Sequence, residues 1–180
     1  MKVKSQKEIL NIIKSLKKAG KKIVVRNGSF DLLHLGHIKS LQEAKAQGDI
    51  LIVLLNSDKS VKSYKSPGRP IIPQKERALM LSALECVDYV VIFDETTPEK
   101  MLAKIKPDVY CVGYDHRNDS PLTRIVRKNG GTIHKLENFK NLSTTKLIKK
   151  ISRIYSKTEP AKRAKVKMKA NPKGETSSPK

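Results

Sequence analysis

The chain contains no tryptophan, and aromatic residues make up only 4% of its 180 positions. That scarcity argues against nucleic-acid modules that stack bases on aromatic platforms. There are two cysteines, Cys86 in ALECVDYVV and Cys111 in DVYCVG, and neither belongs to a CxxC pair. A disulfide framework and a cysteine zinc site are therefore excluded, and both thiols read as small buried hydrophobes of a reducing compartment. Long hydrophobic runs are missing too. The longest, Ile50 to Leu55, falls far short of the ~20 apolar residues that cross a bilayer. The opening MKVKSQKEIL has no apolar core of a signal peptide, so the expected location is the cytoplasm. Acidic residues are few: 17 Asp and Glu against 38 Lys and Arg leave a formal net charge of +21. Such a balance predicts an anionic partner. Neither GxxxxGK[ST] nor GxGxxG occurs, which excludes a P-loop and the dinucleotide fingerprint.

The positive charge is concentrated at the two ends. Residues 1–22 hold eight Lys against one Glu, and residues 157–180 hold seven Lys and one Arg against two Glu. The C-terminal segment is poor in apolar residues and rich in Lys, Pro, Ser and Ala, so it is expected to be disordered and to bind polyanions nonspecifically, in a salt-dependent way. Between the ends, apolar β-branched runs alternate with helical patterns. Helices are expected over 5–19, 36–48, 73–87, 97–105, 120–131 and 143–155, with Thr97 and Ser143 as N-caps. Strands are expected over 22–26, 49–56, 88–93, 108–113 and 132–136, and 57–70 reads as a polar loop. Strands separated by helices at this spacing predict a parallel sheet with right-handed crossovers, an α/β Rossmann-like doubly wound fold. The expected organisation is an N-terminal helix (1–21), one catalytic domain (22–155) and a basic tail (156–180).

One stretch carries chemistry. NGSFDLLHLGH, Asn27 to His37, lies where the first long strand gives way to a helix. Ligands of open parallel sheets bind at the carboxyl ends of strands, and helix N-termini hold phosphate. Gly28 and Gly36 permit close backbone approach, while His34 and His37 flank Gly36 at the helix start. Two imidazoles there can supply fixed donors to a phosphoryl group that gains charge as pyrophosphate leaves. Zinc is a poorer reading, because only His116 and His134 remain as further histidines. After the second strand, Asn56, Asp58, Lys62, Lys65 and Arg69 lie at the same sheet edge and suit a triphosphate. Arg77, one turn into the next helix, has the fork geometry for phosphate. Gly113 and Asp115 in VGYDH end a later strand, and Ser143, Thr144 and Thr145 open the last helix with hydroxyls and free N–H groups.

With those pieces in order, NGSFDLLHLGH, NSDKSV, GRPIIPQKERALMLSALECVDYVV, TPEKMLAKIKPDVY and STTKLIKKI resemble the cytidylyltransferase-like nucleotidyltransferases with their HxGH motif. Within that family the chain is most similar to the adenylyltransferase domain of bacterial heptose-phosphate kinase/adenylyltransferases, over roughly residues 22–152. The resemblance implies transfer of AMP from ATP to D-glycero-β-D-manno-heptose 1-phosphate, giving ADP-heptose for lipopolysaccharide core synthesis. It implies that His34 and His37 stabilise the transferring group. Lys62 or Lys65, together with Arg77, would bind triphosphate. Asn27, Gly28, Ser29, Phe30, Asp31, Gly36, Asn56, Gly113, Asp115, Ser143, Thr144 and Thr145 would form the nucleotide site. Mg²⁺ is expected to be held mainly by the triphosphate, its protein ligands being unknown, and a homodimer is expected from the family alone. The heptose members end the fourth strand with KGGDY where this chain has VGYDH, so Val112 replaces a lysine and Tyr114 a glycine. Two other readings stand beside this one: a glycerol-3-phosphate cytidylyltransferase or other HxGH enzyme, and a basic nucleic-acid-binding protein.

Overall fold

The computed structural model describes residues 1–138 and 143–169, with the backbone alone over 157–169. Among them, six strands form one parallel sheet: β1 (Val3–Lys4), β2 (Ile23–Gly28), β3 (Ile50–Asn56), β4 (Tyr89–Phe93), β5 (Val109–Val112) and β6 (Thr132–Lys135). The strand order is β1-β4-β3-β2-β5-β6. The helices are α1 (Gln6–Lys18), α2 (Leu35–Lys45), α3 (Asp58–Tyr64), α4 (Gln74–Ser82), α5 (Glu99–Ile105), α6 (Pro121–Lys128) and α7 (Thr144–Lys169). The expected α/β Rossmann-like sheet is thus borne out.

Burial on both faces explains the unbroken apolar runs of the central strands. Ile23, Val25, Ile52, Leu54, Tyr110 and Val112 face α1, α5 and α6, where Ile9, Ile13, Met101, Leu102, Ile105 and Val126 complete one core layer. Val24, Leu51, Val53, Leu55, Val109 and Cys111 face α2 and α4, against Leu41, Ala44, Ala78 and Leu81. Because α1 packs into this core, residues 1–21 belong to the same unit as the sheet. Ser5 starts α1 with a reciprocal capping box to Glu8, an arrangement whose loss costs about 1 kcal/mol.

Several boundaries differ from the sequence reading. The segment 57–70 contains α3, capped by the Ser57 hydroxyl accepting from the Ser60 N–H; its hydroxyls and lysines carry no helical apolar stripe. The helix expected over 73–87 closes at Ser82, and α5 starts at Glu99 after Pro98 with no side-chain cap, so Thr97 is not its N-cap. β1 is a two-residue edge strand too short to show periodicity.

The chain separates into two compact units, Met1–Lys140 and Asn141–Lys180. The second is described through α7, whose backbone stays helical to Lys169, beyond the expected boundary at 156. Residues 170–180 of the expected disordered tail lie outside the described residues. The expected polyanion binding depends on side chains that also lie outside them. No described helix is long and apolar enough to cross a membrane.

β2 is the switch strand: β3 and β4 extend the sheet to one side of it, β5 and β6 to the other. The crevice beyond the carboxyl ends of β2 and β5 is where such sheets bind ligands.

Candidate active site

The sequence string NGSFDLLHLGH occupies that crevice. Gly28 ends β2, and a Cβ there would lie 2.9 Å from Cε2 of Phe30, so only glycine admits the ring. Phe30 adopts φ 42, a left-handed conformation that costs a non-glycine residue about 1–3 kcal/mol and is tolerated where surroundings fix it. The turn buries its ring and sets it edge-on to His37, centroids 5.3 Å apart.

His34 is the N-cap of α2, and its Nδ1 accepts from the Gly36 N–H at 3.1 Å. An accepting Nδ1 leaves the neutral ring's proton on Nε2, which is then a donor. His37, one turn into the helix, stacks on His34 with centroids 3.8 Å apart. Burial lowers the pKa of His34. His37 is lowered to about 4, first by burial, then by the charges of His34, Arg26 and Lys65, against a weaker opposing effect of the Leu32 carbonyl. Both rings are therefore neutral near pH 7; His34 offers its Nε2–H to an anion, while His37 Nδ1 is buried without a hydrogen-bond partner.

The segment after β3 closes over the same place. Lys65 donates to the Ser29 hydroxyl at 2.9 Å. Burial, then Arg69, lower its pKa, while Asp31 opposes them. Lys62 is exposed and lines a shallow groove with Lys65 and Arg69. Asp31 is 1% exposed and fully engaged: it pairs with Arg69 Nε at 2.5 Å and accepts from the Ile71 and Ile72 N–H groups at 2.8 and 2.9 Å. Desolvation pushes this carboxyl up, but the Ile72 and Ile71 bonds and Arg69 together outweigh it and hold it below its ordinary value.

Arg77 sits differently from expectation. It is 0% exposed, donating to the carbonyls of Ile72 and Asn56, to the Ser29 carbonyl and, at 2.7 Å, to Asp58 Oδ1. Its fork ties the Ser29 turn to the end of β3 and to α3, and presents no open face to a triphosphate. Asn56 is likewise buried, its amide on the Ser60 hydroxyl at 2.9 Å. Asp31 and Arg77 thus build the site's walls and have no free groups for a nucleotide, and the Asn56 amide N–H groups are turned onto Ser60 and Thr96 beside them. Of the cations after β3, Arg69 and Arg77 are spent on Asp31 and Asp58, which leaves Lys65 and Lys62.

On the other side of β2, Asn27 Oδ1 accepts from the Tyr110 hydroxyl at 2.6 Å, joining β2 to β5 on the opposite face of the sheet. Gly113 ends β5 in a turn closed by the His116 N–H on the Gly113 carbonyl; a Cβ there would lie 2.9 Å from Asp115 Oδ1. Asp115 is exposed, and His116 bonds the Ser120 hydroxyl at 2.9 Å. Ser143, Thr144 and Thr145 open α7, where the Ser143 hydroxyl accepts from the Lys146 N–H at 3.2 Å, as expected of a cap. They belong to the second unit.

The Asp31 latch makes a test. Asp31 binds its proton less readily folded than unfolded, so its contribution is intact above the ordinary carboxylate range and lost as pH falls through its lower folded value. The gap in melting temperature between wild type and Asp31→Asn is expected to be constant above about pH 5 and to shrink below about pH 4. A gap unchanged between pH 6 and 3 would contradict the latch.

The cytidylyltransferase-like family model matches residues 25–152. The chain belongs to that family. It is a nucleotidyltransferase, as the HxGH string led one to expect. It is 45% identical over 155 residues to the "Bifunctional protein HldE" of Geobacter metallireducens, covering 86% of this chain and 32% of that protein. The protein of the same name from Nitratiruptor sp. is 46% identical over 149 residues, covering 83% of this chain and 32% of that one. The chain therefore spans about a third of the length of the curated relatives it matches. Among solved structures, the lipopolysaccharide core biosynthesis protein from Thermoplasma volcanium aligns with TM-score 0.59 and 32% identity, over 67% of this chain and 99% of that one. The expected likeness to the bifunctional heptose enzymes is borne out at the level of these relatives.

Sequence reasoning missed Arg26, a cation in the middle of a buried strand, and Tyr110, the partner of Asn27. The charge inside KIVVR was the one visible signal for Arg26.

Proposed function

We propose that this cytidylyltransferase-like chain transfers AMP from ATP to D-glycero-β-D-manno-heptose 1-phosphate, releasing pyrophosphate and forming ADP-heptose. The observation that carries the nucleotidyl transfer is the stacked, neutral His34–His37 pair at the switch point, with Lys65 beside it. Support for a heptose phosphate acceptor comes from the relatives named HldE and from the likeness to a lipopolysaccharide core biosynthesis protein.

The acceptor phosphate is the nucleophile. Its second pKa is about 6, so it is mostly dianionic near pH 7 and needs no general base. One of its oxygens forms a bond to the α-phosphorus, the α–β bridging bond breaks, and pyrophosphate leaves with the electron pair. Catalysis is positioning and charge neutralisation. The Nε2–H of His34 and an N–H of His37 meet charge that develops on the α-phosphoryl oxygens. Lys65, and Lys62 at the rim, meet the departing pyrophosphate. Among the described residues no three His, Cys, Asp or Glu side chains converge, and Asp31 and Asp58 are spent on arginines. Among the described residues the carboxylates form no Mg²⁺ cage; a Mg²⁺ carried by the triphosphate would offset the charge that Lys65 and Lys62 face.

The test is pyrophosphate release by purified protein with Mg²⁺, pairing ATP or CTP with heptose 1-phosphate or glycerol 3-phosphate. Release with ATP and heptose 1-phosphate alone is expected. Release with CTP and glycerol 3-phosphate alone would keep the transfer chemistry and overturn the acceptor and the nucleotide.

A further inference from the structure

Lateral pairing places Arg26 of β2 in one row of the sheet with Val53 and Val90 on one side and Cys111 and His134 on the other. Val53, Val90 and Cys111 are fully buried, on the face covered by α2 and α4. A guanidinium in such a row costs stability unless a carboxylate or several hydrogen bonds satisfy it. Arg26 has neither. Nη1 lies 3.5 Å from the Cys111 carbonyl, at the outer limit of a hydrogen bond. Nε is buried with no partner. Among the described residues no salt bridge reaches it. The residue is half-buried, so part of it still reaches the surface. The next residue on its face of the strand, Gly28, has no side chain to cover it.

The surroundings say what would satisfy it. The two other charged groups that depress the neighbouring His37 besides its stacked partner are Arg26 and Lys65. Lys65 comes from the β3 side of the switch strand and Arg26 leans toward β5. The transfer centre is therefore flanked by a cation on each side, and the one on the β5 side feels the charge of Asp115 but forms no ion pair with it among the described residues.

We infer that Arg26 is an anion-binding residue of the transfer centre, its guanidinium taking a phosphoryl oxygen of one of the two reactants beside His37. The inference rests on nucleotidyl transfer at the histidine pair, and not on the identity of the acceptor. The phosphoryl oxygen belongs either to the nucleotide or to the acceptor phosphate, and these two sources separate by experiment.

The variants are Arg26→Met, which keeps the apolar stem and removes the charge, and Arg26→Lys, which keeps a charge without the fork. Calorimetry would follow binding of Mg²⁺-α,β-methylene-ATP, and then of inorganic phosphate to the analogue-loaded protein. Neither titration requires the heptose acceptor. If wild type releases no pyrophosphate with heptose 1-phosphate, the acceptor assignment fails and the Arg26 result still stands. For Arg26→Met, a weakening of at least tenfold is expected in one titration, with partial recovery in Arg26→Lys. Loss in the analogue titration assigns the contact to the nucleotide; loss in the phosphate titration assigns it to the acceptor. The melting temperature of Arg26→Met is expected to equal or exceed that of wild type, because an unsatisfied buried charge has gone. Binding within twofold of wild type in every titration that wild type supports would overturn the inference. So would failure of both variants to fold, which would make Arg26 a structural residue.

Discussion

Alanine at either His34 or His37 is expected to lower kcat for pyrophosphate release by roughly 10²–10³, the range for losing one preorganised donor to a developing oxyanion. KM for ATP should change far less, because the donors meet charge that grows on the way to the transition state. The two rings stack at 3.8 Å and lie on one helix turn, so they act as a unit. The double variant is therefore expected to cost less than the product of the single losses. The state of protonation sharpens the test. With its pKa at about 4, His37 carries a single ring proton near pH 7 and donates as a neutral group. His37→Asn, which keeps a neutral N–H donor, should recover part of the loss; a general acid would not be replaced by an amide. Turnover within threefold of wild type in both alanine variants would remove the histidine pair from the mechanism. A rise in KM for ATP with kcat unchanged would reduce it to ground-state binding.

What was legible in the sequence was local. Gly28, Phe30, Gly36 and the two histidines lie within ten residues, and their spacing alone sets the strand-to-helix turn and brings both rings to the helix start. The central strands were legible because both faces are covered and their apolar runs are unbroken. What failed depended on tertiary burial. Arg77 in PQKER looks like a surface helix arginine, yet α4 turns it inward, where three carbonyls and Asp58 await it. Asp31 sits in the phosphate-site string but binds a loop some forty residues away. α3 was read as loop because its stabilisation comes from the Ser57 cap and from Val61 buried beneath it rather than from an apolar stripe. The basic run 62–69 looked like four cations for a triphosphate together with Arg77; pairing to Asp31 and Asp58 halves that number. A sequence shows how many charges a loop carries, and only the fold shows which of them are already neutralised.

Arg77 therefore carries the second large prediction, and it differs in kind from the first. Arg77→Ala leaves the buried carbonyls of Ser29, Asn56 and Ile72 without a donor and opens a cavity the size of a long side chain. Asp58 is partly exposed, so the loss comes mainly from the three orphaned carbonyls and the cavity, together on the order of 3–5 kcal/mol. For a chain of this size, that is a fall in melting temperature on the order of 10 °C. The effect on catalysis follows from geometry: the Ser29 turn that Arg77 holds also anchors Lys65 and precedes Phe30, so kcat and KM for ATP should both worsen. Arg77→Lys should recover little, since one ammonium cannot reach the several acceptors the fork spans. If Arg77 were instead an open triphosphate ligand, alanine would leave the melting temperature near that of wild type and raise KM for ATP alone. Thermal denaturation beside steady-state kinetics separates the two, and a stable Arg77→Ala protein with only a raised KM would show that the buried fork is not what shapes this site.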